Sequence, residues 1–180
     1  VQEGRTDLAW TLESLGDLKG SLALRQKVCA TNERVLGPQH PHFGRSLNAR
    51  ADSEARLGRL ADAEMDYARA LAILEKVYGP GHPDTSQSLL GLGDVRFNQG
   101  RFAEAAEAME RAIKLDANKH VMWGNLADAY RWAPDKAGKA PAAYDRAIVM
   151  VRQRLTASPS DPDLRSSLAT YLAKLKRRDE

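Results

Sequence analysis

The residues best suited by type to chemistry are histidines. His40 and His42 flank Pro41, and His82 precedes Pro83 and Asp84. Imidazole and carboxylate are common metal ligands. However, His40 and His82 stand 42 residues apart in two copies of one segment, VLGPQHP and VYGPGHPD, so the joining of two structural units accounts for them more simply than a metal does. No metal or cofactor is expected. Gly91-Leu92-Gly93 shares letters with a dinucleotide loop, yet it lies inside a helical pattern with no strand before it. The chain has no His-Glu-x-x-His, no Gly-Lys-Ser/Thr phosphate loop and no serine in a strand-to-helix elbow. Carboxylates are many, but a general acid also needs a cleft and a shifted pKa. The sequence therefore reads as non-enzymatic. Cys29 is the single cysteine, which rules out an internal disulfide or a Cys-based metal site and leaves it as a small apolar packing residue.

Composition narrows the partners. Over 180 residues the formal net charge is +3, and the arginines are scattered among Asp and Glu, so nucleic acid is not the expected ligand. No apolar run approaches the roughly 20 residues of a membrane span, and no signal peptide opens the chain, so a cytoplasmic location without a membrane partner is expected. The chain begins at Val1 without Met and ends in KRRDE, which suggests a piece of a longer protein.

The elements that would position any site are helical. Ser86 to Lys119 reads as one hairpin of 34 residues: Leu89, Leu92, Gly93 and Val95 form one stripe, Gly100 ends that helix, and Phe102, Ala105, Ala106, Met109, Ala112, Ile113 and Leu115 form a second. Ala105 and Ala112 let the two backbones approach closely. Such a stripe needs neighbours to cover it, and copies exist. Gly16, Gly58 and Gly100 are spaced by 42, as are Gly37 and Gly79, His40 and His82, and Leu47 and Leu89. Beyond Gly100 the spacing shortens to 34, with Trp123, Leu126 and Ala127 matching Leu89, Leu92 and Gly93, and RWAPDKAGKAP replaces the tight glycine turn.

WGNLADAY at Trp123 to Tyr130, with the LLGLGDV stretch before it, resembles the tetratricopeptide repeat, and the 42-residue units resemble its kinesin-light-chain variety. The resemblance implies an all-α, right-handed α-solenoid spanning residues 1–180 as one domain. Its units would fall at about 2–41, 42–83, 84–119 and 120–159, with a final helix over 161–176. Arg5 and Arg25 stand where the repeat usually carries large apolar residues, as a terminal unit with one face in water would. The final helix carries Leu164, Leu168, Tyr171, Leu172 and Leu175 without a partner helix, so its stripe is expected to seek another copy of the chain. Lys174, Lys176, Arg177 and Arg178 at its end complement the helix dipole.

The resemblance also implies a ligand groove lined by the first helices of successive units. Carried onto matching positions, the first unit contributes Thr6, Trp10 and Glu13, and the second contributes Arg45, Asn48, Asp52 and Arg56. The third contributes Gln87, Leu90, Asp94, Phe97 and Asn98, and the fourth Asn125, Asp128, Arg131 and Trp132. Asp52, Asp94 and Asp128 repeat at one position, which suits a basic or N–H-rich partner segment unless they bond within the scaffold to Arg45, Arg56 or Arg131. Lys and Arg are missing where chaperone-tail clamps need them: Thr6, Trp10, Gln87 and Gly91 stand there. The implied function is a protein-interaction scaffold that binds a partner peptide or protein segment, within a larger bacterial signalling protein. The alternative is a homo-oligomeric assembly module that stacks through its terminal helices.

Overall fold

The computed structural model describes the backbone of residues 2–176 and the side chains of residues 8–176. Among them run nine α-helices and no strand: α1 (Gln2–Ser14), α2 (Leu18–Leu36), α3 (Pro41–Arg56), α4 (Leu60–Tyr78), α5 (Pro83–Asn98), α6 (Phe102–Leu115), α7 (His120–Trp132), α8 (Ala140–Ala157) and α9 (Pro162–Lys174). The expectations for Arg5, Thr6, Arg177 and Arg178 concern side chains outside the described residues.

Local chemistry places the helix ends. Gly16, Gly58 and Gly100 hold φ of 85°, 75° and 77° at the turn inside each hairpin, a backbone region that costs a residue with a Cβ and costs glycine little. The histidines that resembled metal ligands are N-caps. His40 Nδ1 accepts from the His42 backbone N–H, and His82 Nδ1 from that of Asp84, each at 3.2 Å, with proline in the first turn behind them. Helix α3 therefore starts at Pro41 and α5 at Pro83.

Packing follows the repeat. Each helix pairs with the next in sequence, and α3 also packs on α5 and α5 on α7. The second helices of the hairpins do not pack on one another to that extent. The chain therefore curves toward the first helices, and α3, α5 and α7 line its inner, concave side. One seam of buried residues runs from Ala51 through Tyr67, Leu92, Ala105, Met109 and Ala127 to Leu172. A smaller cluster of Cys29, Phe43, Leu47, Ala70, Ile73 and Leu74 joins the first two units.

Two expectations need correction. Arg25 does not face water: it is half-buried, pairs with Glu13 at 3.0 Å and donates to the Ala49 carbonyl, so it ties the first unit to the second. The stripe of α9 is covered within the chain. Tyr171 and Leu172 are buried, and Gly124 of α7 lies so close under the Tyr171 ring that a Cβ there would stand 2.6 Å from it. The segment after Trp132 is a stiff joint: Ala133 is fully buried, Ala137–Lys139 form a 3-10 turn, and Lys136 lies 3.6 Å from both Glu107 and Glu110 of α6.

Candidate functional site

The first helices bring many of the expected groove residues to the concave side, but scaffold bonds already engage several. Asp52 is half-buried and accepts from the Tyr67 hydroxyl of α4. Asp128 accepts from the Tyr144 hydroxyl of α8 and from Lys174 Nζ of α9 at 2.6 Å. The expected arginine partners are elsewhere. Arg45 holds Asp84 at 2.6 Å, Arg56 lies 3.3 Å from Glu13, and Arg131 stands over the Trp132 ring at 6.0 Å. Scaffold bonding of two of the three aspartates is therefore present, with tyrosine and lysine donors that the sequence reading did not identify. The Asp52–Tyr67 and Asp128–Tyr144 spacings of 15 and 16 residues were the available signal.

Asp94 differs. The residue as a whole is exposed, its carboxyl set against a recess, and among the described residues its one hydrogen-bond partner is the Asn125 amide, which donates at 3.2 Å. Beside it lies a recess of about 250 Å³ lined by Asp94, Phe97, Asn98, Met109, Asn125 and Asp128. The surrounding walls desolvate the Asp94 carboxyl and push its pKa up to about 6; the Asn125 hydrogen bond opposes that shift and the Asp52 charge adds to it. Burial likewise raises Asp52 above the usual carboxylate range, against the Tyr67 hydrogen bond and the charges of Arg25 and Arg56.

The remaining positions divide. Gln87 and Asn98 are exposed, and Leu90 is half-buried against the core. Trp10 is 69% exposed, while Glu13 is buried beneath Ser21, Arg25, Ser53 and Arg56 and is not a groove contact. Asn48 is also corrected: only 1% exposed, it accepts from the Ser88 hydroxyl at 2.9 Å between α3 and α5, out of reach of a ligand. Phe97 meets Phe102 edge-on at 5.2 Å, and Phe102 stacks on Trp132 at 6.0 Å, so an aromatic row leads away from the recess. Trp132 is 58% exposed.

Stacked hairpins with a curved inner face and few reactive groups define a helical-repeat interaction scaffold. Three models, each described as tetratricopeptide repeat, match residues 42–118, 90–162 and 4–42. The chain belongs to the tetratricopeptide repeat family, whose members bind protein partners. Solved structures agree on the fold, a right-handed solenoid. A Podosopora anserina protein assigned as a kinesin light chain, with nearly identical TPR-like repeats, is similar at a TM-score of 0.81 and 19% identity, over 98% of this chain and 87% of that one. BtubC (BKLC) from P. vanneervenii is similar at 0.76 and 18%, over 89% and 66%, and MamA at 0.63 and 17%, over 95% and 86%. No curated protein matches the sequence significantly. No described helix is long and apolar enough to cross a membrane.

Proposed function

We propose that the protein is a non-catalytic scaffold that binds an extended segment of a partner protein along the concave side of α3, α5 and α7, within a larger bacterial signalling protein. The observation that carries this reading is the recess beside Asp94, where exposed Asp94 and Asn98 of α5 and half-buried Asn125 and Asp128 of α7 converge next to a row of aromatic rings. Amide and carboxylate groups can hydrogen-bond an extended backbone and select donors, while Phe97 and Trp132 offer apolar anchorage. The signalling setting rests on the likeness of the 42-residue units to tracts found in such proteins.

A photoreactive side chain placed at Gln87 or Asn98 on the inner side, or at exposed Arg111 on α6, tests the surface used. In cells, adducts with a partner are expected from the first two positions and not from Arg111. The opposite pattern would move the binding surface to the outer helices.

A further inference from the structure

The register of the repeat singles out one aspartate. Tyr67, Met109 and Tyr144 occupy one position of successive second helices, 42 and 35 residues apart. The two tyrosine hydroxyls donate to Asp52 and Asp128 of their own units. Met109 has no hydroxyl, so among the described residues Asp94 keeps only the amide of Asn125 from the following unit. Charge follows the same division. Arg25 and Arg56 act on Asp52, and Lys174 holds Asp128 at 2.6 Å, whereas among the described residues no Lys or Arg acts on Asp94.

The space beside Met109 is the recess already described, with Phe97 on its wall. A carboxylate partly withdrawn from water and without a cation gains more from a charged donor than a fully solvated one does. The Phe97 side chain on the same wall offers apolar contact to the stem of a cationic side chain. Further along, Trp132 borders a second recess with Phe102 and Pro134, so apolar surface continues from the first.

We propose that the Asp94 recess receives one cationic side chain, arginine or lysine, of the partner segment, and that an apolar residue of the same segment packs on Trp132. The proposal rests on the concave-side reading above and names its ligand chemistry. Met109 is the specificity determinant, because a tyrosine there would reproduce the internal bond that occupies the other two aspartates.

Randomised heptapeptides displayed on phage and selected on the whole chain test it. Recovered peptides are expected to share an Arg or Lys near an aromatic or aliphatic residue. A synthetic copy with that cation replaced by neutral citrulline or norleucine should bind at least tenfold more weakly. Asp94→Asn should lose the same factor, with no further loss when the two changes are combined. Met109→Tyr with Asn125→Gly, which installs a tyrosine and removes the side chain that would crowd it, should weaken binding similarly. Recovery of peptides without a shared cation, or equal binding to Asp94→Asn, overturns the cation site. In that case peptide-induced NMR shifts confined to α3, α5 and α7 leave the concave reading standing, and shifts elsewhere remove it. Failure to recover any peptide counts against both. Should the variants fail to fold, the neutral-peptide comparison on the parent chain decides alone.

Discussion

Glu54 is buried at 6% exposure, and among the described residues its Oε2 atom has no hydrogen-bond partner. Its neighbour Arg50 gives its guanidinium to Asp66 instead, leaving Glu54 Oε1 at 3.9 Å. Burial, and then the Asp66 charge, push the Glu54 pKa up to about 7, with Arg50 opposing. A carboxyl with a raised folded-state pKa holds its proton more tightly folded than unfolded, so its contribution to stability falls as pH rises between the ordinary carboxylate range and about 7. Glu54→Gln should therefore stabilise the protein by about 1–3 kcal/mol at pH 8 and change little near pH 4.5. Urea unfolding at the two pH values measures this. An equal effect at both would mean that Glu54 is ionised throughout. At the binding site, Asp94 titrates near 6, so affinity for a cationic segment should fall between pH 7 and pH 5; Asp52 and Asp128 share the face, and the loss should vanish in Asp94→Asn. Titration calorimetry with a recovered peptide reads this directly.

At the scale of the helices, glycine and alanine set how closely neighbours pack. Gly91 in α5 lies against the Tyr67 ring, and a Cβ there would stand 2.3 Å from ring carbons that the hydroxyl bond to Asp52 holds in place. Gly to Ala within a helix ordinarily gains about 1 kcal/mol. Overpacking against a fixed ring costs about 1–3 kcal/mol, so the clash decides the sign. Gly91→Ala should lower the melting temperature, whereas Gly81→Ala, with open space around it, should not. Ala105→Leu and Ala112→Leu, both fully buried at the α5/α6 crossing, should destabilise through the same overpacking. These crossings were legible in the sequence because the repeat places small residues at fixed intervals. Partners on neighbouring helices were not. Tyr67 reads as one more packing residue until the neighbouring helix brings Asp52 to its hydroxyl, and Asn48 reads as a groove contact until Ser88 of α5 covers it. The histidine caps were missed for a simpler reason: Ser, Thr, Asp and Asn are the residues expected at that position.

Across the whole chain, stability is a sum of units and the joints between neighbours, because each hairpin touches only those beside it. The joint between the first and second units adds a polar network to the apolar cluster around Cys29 and Phe43. Glu13 of α1 accepts from Ser21 of α2 and Ser53 of α3 at 2.9 Å each, and lies 3.0 Å from Arg25 and 3.3 Å from Arg56. The units that follow are joined through the apolar seam of Ala51, Tyr67, Leu92, Met109 and Ala127. Removing Glu13 takes the carboxylate acceptor from buried Ser21 and leaves half-buried Arg25 with the Ala49 carbonyl but no counter-charge there, at a cost of about 1–3 kcal/mol. In a linear array that cost falls on the nearest joint. Glu13→Ala should accelerate amide exchange through α1 and α2 and leave α5 to α8 at the parent's rates. Uniform acceleration along the chain would show instead that the units unfold as a single body. The Asp94 recess lies between α5 and α7, beyond that joint, so the same variant should bind a recovered peptide with unchanged affinity while its first hairpin opens.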